Sequence, residues 1–369
     1  MKKFLIVLTA TALVSTTALA KVAQVSISRT TGGNAVEFPN KHMPSGYGVN
    51  RLKPFDEELQ TRHDLKSADR AQKMMERNSS ALTGLLINKG RIVFEGYREP
   101  ARRNSKMHSM SMSKSLTALV IGNLYCDGKI DSLDDTAGKY ANWLDPDTYG
   151  NTTIRNFLMM ASGMKKYGKH GWPKPHPLRE VKFGRRDVLW FIQGHTREYE
   201  QGTRHNYNSG DTMALQQVAR SFGGLVENFN HYIWSRIGTE VEGSWMVSRT
   251  GEAVSWAGFN ASLRDWGRLG MYTIDMAKGR GGSCMQEYVQ DMLSQQINNR
   301  RARGQAGRSF AGYGYQTWVM QNGNAWWAGY GGQRVGINVE LEKVMVIHSH
   351  KENYMREAYD VFNYFADWD

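Results

Sequence analysis

The sequence predicts an α+β protein, an antiparallel sheet flanked by helices and carrying a mostly helical insertion. Three observations carry that expectation. A strand, tight turn, strand pattern comes early, the middle of the chain alternates helical patterns with polar loops, and four short apolar runs precede a closing helix. With 369 residues, 40% of them hydrophobic and 38 glycines against 8 prolines, the chain has material for a sizeable core with many turns, and disorder is excluded. The formal charge of +12 would by itself suit nucleic acid, an anionic surface or an acidic polymer.

Taken in order, Lys2 and Lys3 precede the apolar run from Phe4 to Val14, and Ala18-Leu19-Ala20 offers the small residues a signal peptidase reads. We expect residues 1–20 to be a signal peptide cleaved after Ala20, and the protein to be exported to the periplasm or secreted. The run is too short, and too interrupted by threonines, for a stable membrane anchor. Export makes nucleic acid an improbable partner. Cys126 and Cys284 are the two cysteines; an oxidising compartment permits a disulfide, and a pair of free buried thiols is the open alternative.

Residues 21–369 are expected to form one continuous unit. About 21–80 reads as a wrapping segment with a helix near Asp64 to Glu76. The runs Ala81 to Asn88 and Arg91 to Tyr97 around Lys89-Gly90 read as a β-hairpin. Ser111 to Tyr125 has apolar residues on most sides, as a central buried helix would, closed by Asp127-Gly128-Lys129. About 135–260 is mostly helical and includes a helix from Met213 to Phe222. Strands are expected at Gly314 to Val319, Ala325 to Ala328, Gly336 to Val339 and Val344 to Ile347, with a helix from Met355 to Phe365, and the early hairpin should join the late strands in one sheet.

The residues that could carry chemistry begin with Ser111-Met112-Ser113-Lys114. On a helix, i and i+3 share a face, so the serine hydroxyl and lysine amine can approach. Burial would depress the amine's pKa and let it deprotonate the serine, while the helix N-terminus offers the Ser111 N–H to an oxyanion. A serine at a helix start is also an ordinary cap, so the spacing alone decides nothing. Tyr207-Asn208-Ser209-Gly210-Asp211 adds a tyrosine able to relay a proton to a leaving group, against the alternative of a turn tyrosine beside a helix cap. Ala328-Gly329-Tyr330-Gly331-Gly332-Gln333 adds glycines that let a substrate approach a strand, against the alternative of a hairpin turn. There is no His-Glu-x-x-His, P-loop or dinucleotide fingerprint; neither metal nor cofactor is expected.

These elements, in this order, resemble the serine β-lactamase and penicillin-binding-protein family, in the branch of class C β-lactamase-related esterases and nylon-oligomer (6-aminohexanoate-dimer) hydrolases. The resemblance extends over Ile87 to Val93, Ser111 to Ser115, Gly128 to Asp135, Thr153 to Met164, Tyr207 to Asp211 and Ala261 to Gly270. It implies a β-lactamase/transpeptidase-like fold and an acyl-enzyme on Ser111, with Lys114 as general base and Tyr207 as proton relay. It further implies an oxyanion hole from the backbone of Ser111 and of a late-strand residue, for which Gln333 is the expected donor. Tyr167 would match a substrate-contacting tyrosine, and Asn208, Tyr330, Gly331 and Gly332 would border the substrate.

Two departures sharpen the expectation. Penicillin-recognising members carry Lys-Thr-Gly or Lys-Ser-Gly on the late strand, where this chain has Tyr330-Gly331-Gly332, and Ser209 stands where Tyr-x-Asn would put asparagine. Both point toward a small ester or linear amide as substrate. A β-lactamase or D-Ala-D-Ala peptidase is the first alternative, and a non-catalytic binding protein retaining the fold is the second. The basic residues Lys165, Lys166, Lys169, Arg300, Arg301, Arg303 and Arg308 are read first as a solvated face. The sequence leaves the oligomeric state open.

Overall fold

The computed structural model describes residues 39–46, 52–165, 180, 186–193, 195–299 and 309–367. Residues 1–20, Tyr167, Lys166, Lys169 and the arginines Arg300, Arg301, Arg303 and Arg308 lie outside them.

Helix α1 (Arg62–Arg77) starts at a capping box, in which Thr61 and Asp64 satisfy each other's backbone N–H groups. Strands β2 (Ala81–Asn88) and β3 (Arg91–Tyr97) form the expected hairpin, its turn made possible by left-handed Lys89 and Gly90. The late strands are β7 (Ile297–Asn298), β8 (Gly312–Tyr313), β9 (Trp318–Val319), β10 (Ala325–Gly329), β11 (Gln333–Asn338) and β12 (Lys343–Ser349). They join the hairpin in one antiparallel sheet of order β3-β2-β12-β11-β10-β9-β8-β7; the sequence predicts that the hairpin pairs with late strands but not β7 and β8. The run Gly314 to Thr317 is a turn instead of a strand: Gln316 is left-handed, and the Gly314 N–H donates to the Thr317 carbonyl at 2.8 Å.

A second sheet, absent from the sequence reading, pairs β1 (Asn40–Met43), β5 (Gly243–Met246), β6 (Phe259–Ala261) and β4 (Met107–His108) in the order β1-β5-β6-β4. Strands of two to four residues are too short to show a period in sequence.

Between the sheets' contributions run α2 (Ser113–Cys126), α3 (Ala137–Tyr140), α4 (Ile154–Leu158), α5 (Ser209–Arg220) and α6 (Leu225–Tyr232). They are followed by α7 (Leu263–Ala277), α8 (Ser283–Leu293) and, at the C-terminal end, α9 (Met355–Phe365). Helices α1 and α9 pack together on one face of the large sheet, around Met74, Trp326 and Phe362. On the other face lies α7, where a Cβ on Gly267 would come within 2.6 Å of Ile87 and one on Gly270 within 2.7 Å of Val344. These two glycines let the helix backbone rest on the sheet. Helix α2 lies deeper still, with Leu116, Leu119, Val120 and Leu124 fully enclosed among α5, α6 and α8. A disulfide between Cys126 and Cys284 ties its C-terminal end to the start of α8.

Candidate active site

The helix expected from Ser111 begins later. Ser111 sits in a 3-10 turn, Met110–Met112, that leads into α2. Met110 is held at φ 46°, a left-handed conformation uncommon outside glycine. The turn is clamped from β6: the Ser109 N–H donates to the Phe259 carbonyl at 2.8 Å, and the Phe259 N–H donates to the hydroxyls of Ser109 and Ser113 at 3.1 Å each. Ser113 therefore serves the clamp, whereas Ser111 is left partly exposed at the surface of the site.

Lys114, one turn on, is 1% exposed. Its Nζ donates to Ser209 Oγ at 2.9 Å and lies 5.3 Å from the centre of the Tyr207 ring. Burial pushes the amine down to about 7, opposed only in part by the nearby Asp211. That value suits a group that must be neutral near pH 7 to accept a proton.

Tyr207 comes from the chain just before α5. The Asn206 N–H donates to the Met160 carbonyl at 2.7 Å, and the Asn206 side chain donates to the Met164 carbonyl at 3.0 Å, so the Thr153 to Met164 motif is what holds the tyrosine in place. The Tyr207 ring stacks on Trp318 at 5.4 Å, and its hydroxyl lies near Ser111. Burial raises the phenol above its usual range, countered by Ser111 and by the charge of Arg334.

The structure thus brings Ser111, Lys114 and Tyr207 into one cluster and adds residues the sequence did not single out. Ser209 accepts the Lys114 hydrogen bond from the position where Tyr-x-Asn would put an asparagine; the departure from the pattern marked the place but not the role. Asp211, fully buried, accepts from Ser162 Oγ at 2.7 Å, and burial raises its carboxyl to about 7. An aspartate in a first helical turn ordinarily reads as a favourable charge on the dipole, so nothing in sequence announced its burial.

The remaining expected site residues have local partners. Asn208 is 3% exposed, caps α5 by accepting from the Gly210 N–H at 3.0 Å, and faces Tyr149. Gly331 and Gly332 form the β10–β11 turn at φ 79° and 91°, and a Cβ on Gly332 would meet the Lys351 carbonyl at 2.8 Å. The Gln333 side chain donates to the carbonyls of Ser349 and Tyr330 at 2.7 and 3.2 Å. Across the hairpin from it, Gly329 abuts the nucleophile turn, where a Cβ would lie 2.4 Å from the Ser109 carbonyl. Tyr330, 58% exposed, stands on the rim. Among the described residues no cluster of three His, Cys, Asp or Glu is placed to hold a metal ion.

The family model described as Beta-lactamase matches residues 68–364. A 6-aminohexanoate-dimer hydrolase of Paenarthrobacter ureafaciens is 24% identical over 283 residues, 71% of this chain and 70% of its own length. Among solved structures, a Bacillus anthracis protein described as a 6-aminohexanoate-dimer hydrolase superposes with a TM-score of 0.71 at 21% identity over 93% of each chain. A class C β-lactamase mutant superposes with a TM-score of 0.62 at 13% identity, over 85% of this chain and 99% of its own.

Proposed function

On the premise that the chain belongs to the beta-lactamase family and is a serine hydrolase, we propose that it cleaves a small ester or a linear amide through an acyl-enzyme on Ser111. The observation that carries this reading is the cluster itself: a partly exposed serine near Tyr207, whose ring lies 5.3 Å from the amine of a lysine buried one turn on from that serine.

In the first half-reaction Lys114 takes the Ser111 proton, Oγ bonds to the acyl carbon, and the C–O or C–N bond of the substrate breaks. Tyr207 passes a proton to the departing alcohol or amine. Water then adds to the acyl-enzyme, the acid is released, and Ser111 regains its proton. The oxyanion is held by the Ser111 N–H and by an N–H at the Gly329–Gln333 end of the β10–β11 hairpin. Ser209 keeps the Lys114 amine aimed, and Tyr330 offers an aromatic surface to the acyl chain.

Export fits this reading. The apolar leader ending at Ala20 and the Cys126–Cys284 disulfide both suit an oxidising compartment outside the cytoplasm. Among the described residues no helix is long and apolar enough to cross a membrane.

The test is a substrate panel of p-nitrophenyl esters, a 6-aminohexanoate linear dimer and a chromogenic cephalosporin, run with wild type and Ser111→Ala. The reading expects ester or linear-amide turnover that vanishes in the variant. Cephalosporin turnover exceeding both would favour a β-lactamase, and no turnover of any substrate would favour the binding protein.

A further inference from the structure

Arg334, the second residue of β11, is 6% exposed, a costly place for a charge unless its nitrogens find acceptors. They do. Nη1 donates to the carbonyls of Gly329 and Gln333 at 2.6 and 2.9 Å, Nε donates to the Tyr359 hydroxyl at 3.0 Å, and Nη2 reaches the Glu352 carboxylate at 3.5 Å. One guanidinium therefore grips both strands at the mouth of the β10–β11 hairpin and ties them to α9.

The gripped strand end is the one beside the nucleophile. Gly329 lies so close to the Ser109 carbonyl and Met110 that no side chain fits between them, so backbone atoms alone set the gap between β10 and the turn carrying Ser111. A trans peptide points its C=O and N–H in opposite directions. Fixing the Gly329 carbonyl on Arg334 consequently fixes the direction of the Tyr330 N–H as well. The same positive charge acts on the Tyr207 hydroxyl, favouring its ionised form.

We propose that Arg334 is a positioning residue for acyl transfer, holding the Gly329–Tyr330 peptide in place beside Ser111. With all three nitrogens engaged by protein acceptors, it does not act as a ligand for a substrate carboxylate, and the acyl groups that suit the site are not anionic. This rests on the serine-hydrolase reading above and adds to it a substrate class and a residue.

The experiment measures kcat and KM for a neutral ester, p-nitrophenyl butyrate, and for its anionic counterpart, the p-nitrophenyl hemiester of glutaric acid, with wild type, Arg334→Gln, Arg334→Lys and Tyr359→Phe. A misplaced donor near the reacting atoms typically costs on the order of a hundredfold in rate, so Arg334→Gln is expected to lower kcat by about tenfold to a hundredfold on both esters with KM changed less than about threefold. Arg334→Lys should recover part of the loss, since a lysine can keep one of the carbonyl bonds. Tyr359→Phe removes one anchor without removing the charge and should show a smaller loss of kcat in the same pattern, which keeps the test open should Arg334→Gln fail to fold. Wild type should prefer the neutral ester, and the variants should keep that preference. Folded Arg334→Gln with wild-type kcat, or a loss confined to the anionic ester, would overturn the proposal. Wild type that hydrolyses neither ester would instead refute the ester reading, independently of Arg334.

Discussion

The floor of the site and its rim are built in opposite ways. On the floor, Lys114, Ser209 and Asp211 are buried and come from α2 and α5, packed against each other. At the rim, Tyr330 is 58% exposed on a three-residue hairpin turn whose glycines require left-handed backbone. Burial on the floor tunes an amine toward neutrality and leaves no room for variation. Exposure at the rim leaves an aromatic surface open to solvent and apart from the buried Lys114. On the proposed function, the floor would carry the proton transfers and the rim would meet the acyl group.

The hardest way to break that comparison is to remove the floor's base. Lys114→Ala is expected to lower kcat/KM by about a thousandfold or more, as loss of one member of a catalytic unit does; steady-state turnover near wild type would remove Lys114 from the mechanism. Next comes the far end of the same helix. Cys126→Ser with Cys284→Ser removes a cross-link across 158 residues and should lower unfolding free energy by about 3 kcal/mol, read from urea melts, with kcat little changed in the folded enzyme. A large loss of kcat without loss of stability would mean that the disulfide acts on the site itself.

A smaller effect is expected at Ser209. Losing one hydrogen bond to a charged or partly charged group is worth about 1.5 to 3 kcal/mol, so Ser209→Ala should lower kcat by about tenfold to a hundredfold. The pH profile sharpens this part of the floor. Lys114 works as a base only when neutral, so kcat/KM should rise as pH passes upward through about 7, where the ammonium loses its proton. The charge of Asp211 favours the ammonium form, so Asp211→Asn should move that rise to lower pH; an unmoved profile would uncouple the two groups. The smallest change belongs to the rim. Tyr330→Ala should alter KM by about threefold and differently from one acyl chain to the next, with kcat nearly unchanged, because a surface contact binds ground and transition states alike.

The Ser111, Lys114 and Tyr207 cluster was legible in sequence because its residues sit in short local motifs, though the roles of Ser209 and Asp211 on the floor were not. Ser111 and Lys114 are three apart, Tyr207 stands two before Ser209, and the hydrophobic surroundings of α2 are written in its own residues. Most of the large sheet was legible for the same reason, its longer strands announcing themselves by local runs, while the two-residue β7 and β8 did not. What escaped depends on residues far apart. The second sheet joins Asn40 to Met246 and His108 to Asn260. Arg334 meets Tyr359 and Glu352 only after the hairpin folds against α9. The clamp from Phe259 onto Ser109 moves Ser111 out of the helix and into a tight turn, and no periodicity in residues 109–113 encodes it. The cap that Asn208 makes on the Gly210 N–H of α5 is local, and Asn next to a helix start is an ordinary sequence signal for it.

The central claim is that Ser111 becomes covalently acylated and that Lys114 and Tyr207 serve that step. Its most direct test is intact-protein and peptide mass spectrometry after reaction with a fluorophosphonate and after rapid acid quench of ester turnover. The account predicts a single adduct on the peptide containing Ser111, absent in Ser111→Ala, with the acyl-enzyme accumulating in the quenched samples. An adduct on a different serine, or full ester turnover by Ser111→Ala, would contradict it.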